Sequence, residues 1–195
     1  MTLNQTDDQT PADDPASAPH ITHRVWDPFV RIFHWSVALM FTANAFFTSP
    51  KHDLHHWIGY GVAALVGLRV LWGIWGSRHA RFSDFPPSPS GALGQLRDMA
   101  TGRRHVHIGH SPLGALMIYN LLVTLLIIVG SGYLMTTDQF WGVKWPHDVH
   151  VIAVDWAELS VAAHIAAVLY ESVRLRVNLA HAMITGKKVF KRVRG

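Results

Sequence analysis

His150 and His164 stand fourteen residues apart in an apolar stretch, "HDVHVIAVDWAELSVAAHIAAVLY". Fourteen residues are close to four helical turns, so on a helix both rings leave nearly the same face, about 40° apart and separated by about 21 Å along the axis. His147 would lie about 100° from His164 and is the poorer partner. Between the aligned pair the face presents Ala153, Val154, Ala157 and Val161, small side chains expected to leave room beside the helix for a flat macrocycle. Neutral imidazole is a ligand for metals and for haem iron. The chain has 14 histidines and no cysteine. That absence excludes disulfides, thiolate metal sites, iron–sulfur ligation and a covalently attached c-type haem.

The elements that must carry these rings are hydrophobic spans. Only 15% of the 195 residues are charged and 49% are hydrophobic, against roughly 25% charged in soluble domains. A membrane-crossing helix needs about 20 mostly apolar residues. Four segments qualify, at about 30–48, 54–75, 112–135 and 149–173. Residues 25–188 therefore read as an all-α membrane domain, a four-transmembrane-helix bundle. The acidic, Pro-containing residues 1–24 lack a signal-peptide pattern and read as a disordered tail, and 189–195 as a basic tail.

Fourteen of the seventeen Lys and Arg fall on one side of these spans: Arg24, Arg31, the Arg78–Arg104 loop and the segment after Val173. Lys51 and Lys144 lie on the other side, and Arg69 is inside a span. The positive-inside rule then places both termini in the cytoplasm, and the chain reads as a multi-pass membrane protein. The basic pI of about 9.7 reflects that topology and gives no reason to expect nucleic-acid binding.

With the first helix running outward, His34 lies toward the cytoplasmic end, His55 and His56 open the second helix at the periplasmic end, and His150 opens the fourth there. His150 thus shares a level with His55 or His56, and His164 with His34. Two separated pairs suit two bis-histidine, non-covalent b haems better than zinc, which wants three or four ligands at one point. Asp155 and Glu158 point away from the His150–His164 face, and contact with water, Arg or another helix is expected for them. "RRHVHIGH" (Arg103–His110) reads as a headgroup-facing loop. The Trp residues at positions 26, 57, 72, 75, 141 and 145, with Tyr133, read as an aromatic belt.

Several motifs together resemble the bacterial cytochrome b561 family, and within it the b-type cytochrome subunits of nickel–iron hydrogenases and formate dehydrogenases. They are "VWDPFVRIFHW", "LHHWIGYGVAALVGLRVLWGIWGSRHARFSDF", "GHSPLGALM", the two histidines of the fourth span and "MITGKK". The resemblance covers roughly Arg24 to Lys188. It selects His55, four residues before Gly59, over His56, and it carries the haem-iron ligand role onto His34, His55, His150 and His164. It implies His55–His150 as the periplasmic pair and His34–His164 as the cytoplasmic pair. It further implies electron transfer between a periplasmic redox protein (a hydrogenase or c-type cytochrome) and membrane quinone, and is compatible with a homodimer in lipid. Two rival readings follow from the same residues: a stand-alone oxidoreductase passing electrons from superoxide or another small donor to quinone, and a histidine-bearing metal-ion transporter.

Overall fold

Helix starts in this chain are written as Asp–Pro and Ser–Pro pairs. Asp27, Ser88 and Ser111 each accept a hydrogen bond from a backbone N–H one turn on, and a proline follows at the first helical position, where its missing N–H costs nothing. In the computed structural model, which describes residues 20–78, 80–103 and 110–191, these caps open α1 (Pro28–Phe47), α3 (Pro89–Ala100) and α4 (Pro112–Leu134). Asn178 caps α6 (Leu179–Thr185) in the same way. All four start at the Lys/Arg-rich end. The helices that start at the opposite end, α2 (Asp53–Trp75) and α5 (Trp145–Leu175), have no side-chain cap.

Helices α1, α2, α4 and α5 are long and apolar enough to cross a membrane, as the sequence predicts. Helix α5 runs beyond the expected 149–173 at both ends, with Pro146 accommodated in its first turn. The outward faces are apolar: Leu39, Phe47, Ile152, Leu159 and Val173 are all more than 60% exposed, a surface that lipid, not water, must cover. Helix α3 lies between the second and third spans and presents Leu93 and Leu96 outward.

The bundle packs α1 on α2, α2 on α4 and α4 on α5, with α3 on α4. Val37, Val62, Val66, Leu122 and Leu125 form the buried core of the first three spans. Helix α5 packs mainly on α4 and α6. The α4–α5 seam is made by small and polar residues. Ala153 and Ala157 are 7% and 1% exposed, and buried Ser160 accepts a hydrogen bond from Asn120 Nδ2 at 2.9 Å. Asn120 Oδ1 in turn accepts from Trp156 Nε1 at 2.9 Å. The expectation that Ala153 and Ala157 leave space for a macrocycle is therefore corrected. They let the two backbones approach, the usual role of small residues between membrane helices.

A short antiparallel ribbon pairs β1 (His20–Arg24) with β2 (Lys187–Lys191). Residues 20–24, assigned to the tail in the sequence reading, thus meet the segment that follows α6. Val25 and Trp26 N–H donate to Gly186 O, and Arg31 Nη1 donates to Ile184 O at 2.6 Å. Gly186 carries φ +80°, a left-handed turn that suits glycine. Residues 1–19, 104–109 within the Arg103–His110 run, and the last four residues lie outside the described residues.

If Ala157 sets the α4–α5 spacing, Ala157→Leu should destabilise the protein by about 1–3 kcal/mol through overpacking, read as a lower unfolding temperature in detergent. Ala163→Leu, on an exposed face of the same helix, should be nearly neutral. Equal effects of the two substitutions would contradict the packing assigned to Ala157.

Candidate haem-binding site

Between α5 and the α1–α2 pair, four rings face one another two by two. His55 and His150 have ring centroids 6.3 Å apart with planes at 64°, and His34 and His164 have centroids 6.3 Å apart with planes at 57°. All four rings are half-buried. A ligating imidazole nitrogen sits about 2 Å from its metal and about 1.1 Å from its own ring centre, so two imidazoles on opposite sides of one ion span about 6.3 Å. Both pairs match that span. No group of three or more His, Cys, Asp or Glu side chains gathers in metal-binding range among the described residues.

The remaining ring nitrogens decide which atoms are available. His150 Nδ1 lies 2.9 Å from Ile128 O and 3.2 Å from Ser131 Oγ. A carbonyl only accepts, so the proton belongs on Nδ1 and the Nε2 lone pair is left for a ligand. Ser131 directs its own proton to the carbonyls of Ile127 or Ile128. Gly132 lies on this side of α4, where a Cβ would stand 3.2 Å from His150 Cε1. His55 Nδ1 lies 3.3 Å from Thr48 Oγ1. Thr48 donates to Asn44 at 2.8 Å, and Asn44 Nδ2 donates to His55 O at 3.2 Å. The end of α1 thus fixes both the ring and the backbone of His55.

His56 and His147 do not join either pair. His56 is exposed beside His55, their rings 5.9 Å apart and perpendicular. His147 is exposed beside Asp148. Asp155 is exposed and Glu158 half-buried, and neither makes a hydrogen bond or ion pair among the described residues. Thr48, Asn44 and Ser131 went unnoticed in the sequence. Their signal was available, since each is a polar side chain within or at the end of an otherwise apolar span, a position that favours an internal partner.

About two turns beyond His34, toward the basic end, Asp27 gathers several donors. Its Oδ1 accepts from Val30 N–H at 2.8 Å, and its Oδ2 accepts from Trp72 Nε1 at 3.2 Å and from the Ser77 hydroxyl. Burial alone would raise the Asp27 pKa. The bonds from Ser77, Val30 and Trp72, with the charge of Arg69, outweigh it and hold the carboxyl below its ordinary value of 3.8. Trp72, read as part of an aromatic belt, thus has a specific partner. Trp26 stacks near His110 at 4.6 Å, while Trp57, Trp75 and Trp141 are more than 70% exposed, as a belt requires.

Over residues 25–186 the chain matches the family described as prokaryotic cytochrome b561. The chain belongs to this family. Comparison with curated proteins and with solved structures finds no match. Cytochromes b561 bind b-type haem and carry electrons across membranes through it, and with four spans this one is a multi-pass bacterial membrane protein.

Because the folded pKa of Asp27 is depressed, its contribution to stability is present above the ordinary carboxylate value and is lost as pH falls through the lower folded value. Unfolding followed in detergent should show the wild type losing stability as pH drops below about 4, with Asp27→Ala already weakened at neutral pH by about 1 kcal/mol for the cap alone. The gap between the two should close in acid. A gap that stays constant from neutral to acid pH would contradict the role given to the ionised carboxylate.

Proposed function

We propose that this cytochrome b561 holds two non-covalent b haems, one between His55 and His150 and one between His34 and His164, and that these four histidines are the iron's axial ligands. The observation that carries the reading is the repeated 6.3 Å separation of two facing pairs. Bound haem supplies reversible one-electron chemistry at its iron.

The protein's own contribution is to position and insulate. His150 is locked by Ile128 O, and His55 by the Thr48–Asn44 relay, so that each leaves Nε2 for a ligand. The two levels are separated by about 21 Å along α5, which places one toward each face of a membrane. Apolar side chains around the ring pairs exclude water and thereby act on the reduction potential. With the basic end in the cytoplasm, as the charge asymmetry favours, both termini are cytoplasmic and the His55–His150 level is periplasmic. The chain then links a periplasmic redox protein, such as a hydrogenase or a c-type cytochrome, to quinone in the inner membrane.

His150→Ala and His164→Ala should each lower the haem content from two to one per chain, measured by pyridine haemochrome on purified protein. Retention of both haems in either variant would rule out the ligand assignment.

A further inference from the structure

The fourteen-residue interval that aligns His150 with His164 on α5 recurs on α2, between His55 and Arg69. The second and fourth spans run in the same direction, so the interval carries α2 from the level of His150 to the level of His164. Arg69 belongs to the buried stripe Val62, Val66, Arg69 and Gly73. The face of α2 that offers His55 at one level therefore offers a guanidinium at the other.

Arg69 is 4% exposed, a costly place for a cation without an anionic partner. Its Nη2 donates to Ala80 O at 3.1 Å, and its guanidinium carbon sits 5.1 Å from the centre of the Phe82 ring. Its Nη1 is buried without a partner. Asp27 is the acid that senses its charge, yet both Asp27 oxygens already serve Val30, Trp72 and Ser77. Among the described residues the buried side-chain polar atoms lacking a partner are Arg69 Nη1, Arg31 Nε and His34 Nδ1. All three belong to the end of the bundle that holds the His34–His164 pair. At the other level, by contrast, His55 and His150 both have Nδ1 partners.

We propose that Arg69, through its free Nη1, binds a propionate carboxylate of the haem held between His34 and His164. The proposal rests on the two-haem reading. A planar guanidinium with an N–H to spare is built for a carboxylate oxygen, and the haem edge brings a carboxylate to a guanidinium whose nearby acid, Asp27, is already engaged. The paired cation offsets the propionate's negative charge, which would otherwise favour the oxidised iron. Arg69 thereby positions this haem and raises its potential without touching the iron.

The test uses the full-length protein purified with its haem. Redox titration followed in the visible spectrum should resolve two waves, and the wave missing from His164→Ala belongs to the His34–His164 level. In Arg69→Gln that wave should move to lower potential while the other stays, and the propionate deformation band in resonance Raman should shift. Arg69→Lys keeps the charge and is the milder change if the glutamine variant does not accumulate. It should restore part of the potential but still displace the band, because an ammonium cannot reproduce the guanidinium's geometry. Two bound haems with the wave and band unmoved in either variant would overturn the proposal alone. So would a change confined to quinone affinity, which would assign Nη1 to a quinone carbonyl. A wild-type protein without haem would overturn the two-haem reading and this inference with it.

Discussion

Imidazoles inside a bundle of apolar helices cannot leave their ring nitrogens to water, and much of this structure follows from how each nitrogen is occupied. At the His55–His150 level one nitrogen of each ring is committed to the protein, to Ile128 O in one case and the Thr48 hydroxyl in the other. The ring centres of each facing pair stand 6.3 Å apart, a separation that matches two metal–imidazole bonds. Seams elsewhere in the bundle serve that separation. Ala153, Ala157 and Ser160 are buried along α5, whose main packing is on α4. The Asn120 clamp to Trp156 and Ser160 fixes the rotation of α5, and with it the direction of both its histidines.

The two levels are built differently. The His55–His150 level is polar-complete, with Thr48, Asn44, Ser131 and a backbone carbonyl surrounding the rings. The His34–His164 level is rich in unspent donors, and beneath it Asp27 ties α1 to the end of α2 through Trp72 and Ser77. The buried cation Arg69 lies at this second level, where the basic end of the fold is also closed by the Arg174–Glu171 ion pair and the bond from Arg174 to Arg103 O. An electron carrier with two sites in series gains direction from unequal surroundings, and charge placement is among the means available to a protein for making them unequal.

Spacing made the main architecture legible. Four apolar spans, the one-sided Lys and Arg, and the fourteen-residue interval in α5 required no tertiary knowledge, since each follows from helix geometry or membrane thickness. The assignment of Ala153 and Ala157 failed for a physical reason: small residues signal close approach, but periodicity cannot say whether a helix or a ring approaches. Likewise, Arg69 looked like a break in an apolar span until the tertiary structure showed its Nη1 buried and unpartnered. The supporting polar residues Asn44, Thr48 and Ser131 were visible as exceptions to hydropathy, yet their partners lie on other helices or across a turn. Asp155 and Glu158 have no structural account, because nothing described in the fold engages them.

The central claim is that each facing pair of imidazoles grips one iron with the ring planes well away from parallel, at 64° and 57°. Electron paramagnetic resonance of the oxidised protein reads both the ligand set and that twist. Two low-spin ferric signals of strongly anisotropic type, together accounting for two irons per chain, are the expected result. A high-spin ferric signal at either level, or a single iron per chain, would contradict the account.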